Sequence, residues 1–240
     1  IPFKLVSNLL NLELKSQVAL TATMLVRAGL VQGFGHVSAR TRGGFFITST
    51  NPLANSVAEN VIFYEFSKNS KKKYKNLPLE VSMHAAIYIQ RTDVNAICRG
   101  HGEFTSIWAV GSAKLPLLHG LGAIAGEIVK NYNDINLIDN MNTATKVAKT
   151  LGSDVSIILG SNGSLSTGGN LLEAATRLYF LEERSRIAIH TRRAGIKLRK
   201  NSKKDWKIRM NHTKAETIRA VNWFENTFSK NHLLIIGINN

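Results

Sequence analysis

The 240-residue chain holds one cysteine, Cys98, and 16 acidic side chains against 31 basic ones. It has no apolar run of about 18 residues or more, which excludes an ordinary membrane-spanning helix. A lone cysteine excludes an internal disulfide, and its place in the apolar run VNAIC predicts a buried core filler and a reducing compartment, with cytoplasm the default. The opening IPFKLVSNLL mixes charged and apolar residues without a small-residue cleavage site or an initiator methionine, so a trimmed start is expected rather than a signal peptide. No period of roughly 20 to 50 residues recurs, which excludes a solenoid.

The shortage of acidic residues leaves a formal net charge of +15. Much of it sits in SKNSKKKYK (67–75) and RRAGIKLRKNSKKDWKIR (192–209), which lack apolar periodicity and read as a solvated loop and an extension. Such runs bind polyanions non-specifically. Tyr74 and Trp206 are their only aromatics and no nucleic-acid motif is present, so specific nucleic-acid recognition is not expected. A hydrophobic content of 44% suits one sizeable core. We therefore expect one domain over 1–195 followed by a basic C-terminal extension over 196–240.

Along the chain, Leu9, Leu12, Val18, Ala22, Leu25 and Val26 fall near helical spacing, and Gly29 stands where that helix should stop. QGFGHVSART is glycine-punctuated and polar, and FFITST and VIFYEF read as strands. Pro78 opens a helix with Glu80 in its first turn and His84 one turn later on the same face. DVNAICRGH reads as a strand, EFTSIWAVG as a helix, and LPLLHGLGAIAG as an apolar segment holding His119. A helix at about 140–151, the strands DVSIILG and SLST, and a long helix from the N-cap Asn170, with Glu173 at the capping-box position, complete the pattern. Strands interleaved with helices, some separated by only a few residues, predict an α/β layered domain with a mixed or antiparallel sheet.

Polar groups gather at element ends in four places: Gly35-His36-Val37-Ser38, Glu80 with His84, Arg99-Gly100-His101, and Ser161-Asn162-Gly163. In this order they resemble the class II aldolase/adducin family from about Gln17 to Ala188. GLVQGFGHVSAR is similar to the family's opening Gly-Asn-x-Ser-x-Arg signature. PLEVSMHAAIYIQRTDVNAICRGH is similar to its glutamate, helix, Arg-Pro-Asp-Val and strand ending in His-x-His. SIILGSNGSLSTGGNLLEAATRLYFLEERSR is similar to its closing strand, Asn-His-Gly turn and helix. The resemblance implies a three-layer α/β/α sandwich around a largely antiparallel sheet, a homotetramer with sites between subunits, and a divalent metal, zinc or iron, that polarises a substrate carbonyl. It also implies that Glu80 is the general acid/base.

The chain departs from that pattern at the metal. His101 matches the second histidine of the pair, Arg99 replaces the first, and Asn162 replaces the third. Strand alternation puts Arg99 and His101 on one face. Arg99 is expected to hold a substrate carboxylate or enolate oxygen in the ion's stead, or else to pair structurally with Glu80 or Glu103. A rebuilt metal site from His36, His101 and His119 is the alternative. Ser38, Thr50, Asn51, His36 and Asn162 are the expected substrate-binding residues. The family's Ser-Gly and Ser-Ser phosphate donors are absent, which points to a small, unphosphorylated hydroxy or oxo acid. The implied reaction is carbon–carbon cleavage or decarboxylation through an enolate-like intermediate, with Glu80, His101 and Arg99 catalytic. A silent, adducin-like binding or assembly protein with a basic tail is the other reading.

Overall fold

A computed structural model describes residues 3–67 and 75–229, with side chains from Leu9 onward. The first basic run therefore lies almost wholly outside the described residues. The chain opens with α1 (Phe3–Arg27), β1 (His36–Thr41), β2 (Gly44–Ile47), β3 (Ile62–Glu65), α2 (Val81–Gln90), β4 (Ala96–Gly100) and α3 (Glu103–Ala109). A 3-10 turn over Gly120–Ala125 leads to β5 (Lys130–Tyr132), α4 (Met141–Leu151), β6 (Ser156–Leu159), β7 (Ser164–Gly168), α5 (Leu171–Arg193), α6 (Lys203–Met210) and α7 (Thr213–Phe228). The seven strands form one sheet in the order β3-β2-β1-β4-β7-β6-β5. Every neighbouring pair is antiparallel except β5 with β6. The expected three-layer, largely antiparallel sandwich is the observed architecture.

Alternation along the strands divides the core between the two faces of the sheet. Val37, Ala39, Phe46, Ala96, Cys98 and Ile158 face one apolar cluster, which α1, α5 and α7 complete with Val18, Ala22, Leu25, Leu178, Leu181 and Phe224. Phe45, Ile47, Ile97, Ile157, Leu159 and Leu165 face the other, closed by Met83, Ile87, Val147 and Leu151 of α2 and α4. Each such aliphatic or aromatic side chain contributes about 1.5–3 kcal/mol by leaving water. Gly29 adopts φ +71 directly after α1, the left-handed stop that a glycine makes without strain.

Three local features differ from the sequence reading. HVSART, polar in the sequence and given no element there, is a strand: Ser38 and Arg40 find polar partners and His36 packs on the His84 ring on the α2 side, while Val37 and Ala39 are buried on the opposite face. Glu80 is not in the first turn of α2. It is the N-cap residue, and its carboxylate makes no hydrogen bond to the helix's own N–H groups. Beyond Arg193 the patterning called no helix, yet α7 buries Ala220 and Phe224 against the core, whereas α6 has no buried residue.

Arg184 of α5 holds the long connection after α3. Its guanidinium is buried and donates from Nε to Pro116 O (2.9 Å), from Nη2 to Leu115 O (2.9 Å) and from Nη1 to Gly126 O (2.7 Å). These carbonyls would otherwise be buried without donors.

Candidate active site

The β1–β4 pairing builds the floor of the site. His36 lies opposite Arg99 in the antiparallel register, so both side chains project to the α2 face. The start of α2 crosses above them, with Glu80 at its N-cap and His84 one turn on. The β6–β7 hairpin closes the end with Asn162 and Gly163. Gly163 adopts φ +76, and a Cβ there would lie 2.5 Å from Gly100 O and 3.0 Å from Arg99 Nη1, so the hairpin must pass the β4 tip with no side chain.

Arg99 is fully buried. Its Nε donates to Glu80 Oε2 at 3.3 Å and its Nη1 to Gly100 O at 2.7 Å, while Nη2 has no hydrogen-bond partner among the described residues. Glu80 Oε1 accepts from Asn162 Nδ2 at 3.1 Å. Burial pulls the Arg99 guanidinium below its usual range, and the Glu80 charge works the other way. Arg99 does not line the cavity, where the sequence reading expected it to hold a substrate oxygen. The guanidinium lies beneath the floor and is absent from the pocket wall, and of the two partners foreseen for it, Glu80 and Glu103, it takes Glu80.

His101 Nδ1 donates to Phe34 O at 2.9 Å, which in the neutral ring leaves a lone pair on Nε2. That Nε2 lies 3.4 Å from Asn162 Oδ1, also an acceptor while Asn162 Nδ2 serves Glu80. Two lone pairs therefore face each other, and a proton taken up at Nε2 would turn the opposition into a hydrogen bond. Burial first, and the Arg99 charge second, hold the His101 pKa below the ordinary histidine value. His101 is a neutral acceptor awaiting a proton.

A cavity of about 340 Å³ opens above these groups. Glu80, His36, His101, Asn162, Ser49, Thr50 and Asn51 give it polar lining, and Phe34, Leu53, Pro78, Leu79 and Leu137 apolar walls. Of the sequence-derived substrate residues, His36, Thr50, Asn51 and Asn162 reach the cavity. Ser38 does not. Its buried hydroxyl meets His84 Nδ1 at 2.7 Å and Tyr88 OH at 2.8 Å beneath the floor. Tyr88 went unnoticed in the sequence because its spacing on α2 reads only as core. Burial lowers the His84 pKa to about 3, with the Arg99 charge adding to it, and holds His36 well below the usual value. Both rings are neutral at pH 7.

His119 is not brought to His36 and His101. It starts the 3-10 turn, with Nε2 near Gly122 beside Arg184 of α5, in the opposite helical layer from His84. Among the described residues no group of three His, Cys, Asp or Glu side chains could hold a metal ion.

A family model described as Class II Aldolase and Adducin N-terminal domain matches residues 16–189. The chain belongs to the class II aldolase and adducin family. L-fuculose phosphate aldolase of Haemophilus influenzae is 26% identical over 165 residues, covering 68% of this chain and 76% of its own length. A 5-methylthioribulose-1-phosphate/5-deoxyribulose-1-phosphate aldolase of Escherichia coli is 27% identical over 117 residues, covering 48% and 55%. The structure of L-fuculose 1-phosphate aldolase from Glaciozyma antarctica superposes with a TM-score of 0.75 at 15% identity over 90% of each chain, a likeness of fold. The divalent ion that family membership implies does not suit the donors of this class II chain. A guanidinium has no lone pair for a cation, and of the three aligned positions only His101 offers an imidazole. No helix among the described residues is long and apolar enough to cross a membrane.

Proposed function

We propose that the chain is a carbon–carbon lyase acting on a small, unphosphorylated hydroxy or oxo acid. Glu80 carries this proposal: it is a carboxylate at the wall of a cavity, 5% exposed, held by Asn162 on one oxygen and by the buried Arg99 cation on the other. In aldol cleavage Glu80 accepts the proton of the substrate's β-hydroxyl as the carbon–carbon bond breaks to aldehyde and enolate. It then returns that proton to the enolate carbon, so atoms and charge balance. In decarboxylation of an oxo acid the electrons of the bond to the departing carbon dioxide form an enolate, and water supplies, by way of Glu80, the proton that quenches it. His101 Nε2, on taking a proton from water, donates to the enolate oxygen in place of Asn162 Oδ1, and the Arg99 charge stabilises that oxygen through space. Thr50 and Asn51 lie where the acid's far end would rest. Phe34 and Leu79, 80% and 66% exposed at the rim, suit cover by a neighbouring subunit of a homo-oligomer, a tetramer by family analogy.

The test is a product screen by NMR over β-hydroxy and oxo acids, with Glu80→Gln beside the wild type. Loss of turnover by about 10²–10⁴-fold in the folded variant is expected. Undiminished turnover in that variant would refute the role. A silent, binding-only protein is the second reading, favoured by the ion pair that engages Glu80 from below. No product from any acid, with saturable acid binding retained, would select it.

A further inference from the structure

We propose that the irregular, exposed segment over 196–201 and the groove beside it dock an acidic peptide segment, with apolar side chains between its carboxylates, from a partner protein. The segment reads Ile-Lys-Leu-Arg-Lys-Asn, alternating apolar and basic side chains, and every residue in it is exposed. Ile196 and Leu198 are 59% and 51% exposed, so their apolar surface is free for a partner. Ile196 N–H is used at Thr191 O, and among the described residues no main-chain hydrogen bond involves 197–201. The segment thus offers main-chain groups without a partner among the described residues, which an incoming peptide can use.

Alongside it runs a groove of about 530 Å³ with Leu117, Leu118, Ile187 and Trp206 in its lining and Lys197 and Arg199 at the segment side. Charge and shape together select the occupant. None of Lys197, Arg199 and Lys200 has an ion pair among the described residues. The nearest carboxylate in sequence, Asp205, accepts from Ser202 N–H and Oγ at the α6 capping box. A run of carboxylates would therefore meet free cations, while alternate apolar side chains would fill the groove. A nucleic-acid backbone would use the cations and leave the apolar lining wet, so a peptide accounts for more of the surface. The groove shares no residue with the Glu80 cavity, and the proposal is independent of the lyase reading.

The full chain is titrated, with Trp206 emission and peptide anisotropy as readouts, against a ten-residue peptide alternating glutamate with valine. Deca-glutamate and a ten-nucleotide single-stranded RNA serve as controls. The alternating peptide is expected to bind at least about tenfold more tightly than deca-glutamate despite its lower charge. Lys197→Glu with Arg199→Glu is expected to weaken it by about tenfold or more, and Ile196→Ser with Leu198→Ser likewise, while Lys203→Glu with Lys204→Glu on α6 changes it less than about threefold. All six positions are exposed, so folding is not at issue. Equal or tighter binding of deca-glutamate or RNA, or equal losses from the α6 pair, would overturn the proposal in favour of a diffuse polyanion surface.

Discussion

Removing both partners of the Glu80–Arg99 pair should destabilise the fold by less than the sum of the two single removals. The pair is 3.3 Å apart, with the guanidinium fully buried and the carboxylate almost so. At an effective dielectric constant of about 20, two unit charges roughly 4 Å apart attract by about 4 kcal/mol. Glu80→Gln leaves an unbalanced cation under the floor, and Arg99→Met leaves Glu80 with Asn162 alone. Each is expected to cost about 3–5 kcal/mol. The double variant removes both charges and keeps most of the volume, so the penalties should not add. A coupling energy of about 2–4 kcal/mol is expected from urea unfolding of the four proteins at pH 7. Additivity within about 0.5 kcal/mol would mean that the two charges do not meet in the folded protein, and the electrostatic role assigned to Arg99 would fall with it. Because domain stabilities run to about 5–15 kcal/mol, the singles should remain foldable enough to measure.

Acid should destabilise the protein early. His84 is held at about 3 in the fold against about 6.5 unfolded. Its contribution is therefore complete above pH 6.5 and lost as pH falls towards 3, at about 1.4 kcal/mol per unit; urea midpoints measured from pH 7.5 to 4.5 should show this slope, reduced in His84→Gln. Gly163→Ala should cost more than about 2 kcal/mol by forcing a Cβ onto Gly100 O at a left-handed φ, and a thermal midpoint equal to wild type would refute the close approach drawn there. Arg99→His with Asn162→His would set three imidazoles around the β4 tip with His101, and calorimetric titration should find one bound zinc that the wild type lacks at this site; equal zinc uptake by both proteins would show that Arg99 does not govern cation binding.

Much of the fold was legible from a few local signals: the Val18–Val26 spacing of α1, although Leu9 and Leu12 stand exposed, and the Asn170 cap of α5 both read directly. β1 was not, since its inward face carries His36, Ser38 and Arg40, and a strand whose polar side is buried looks like a loop. The three residues of β5 are too few to show any period. Motif order found the side chains around the cavity, because Glu80, His101 and Asn162 sit at element ends in a recognisable sequence. Depth was what the pattern could not convey. Strand alternation put Arg99 and His101 on one face, but only the crossing of α2 over the β1–β4 pair decides that Arg99 is sealed beneath the floor while His101, one step past the strand, reaches the opening. Likewise nothing in the spacing of Ser38, His84 and Tyr88 announces their chain of hydrogen bonds, which needs the helix docked on the strand.

Arg99 is a permanent part of the polymer, so the positive charge beside Glu80 is present at full occupancy in every molecule. It neither dissociates on dilution nor exchanges with solutes, and no sequestering agent can strip it away. Whatever ions the surroundings supply or withhold, the field at that carboxylate is set at translation.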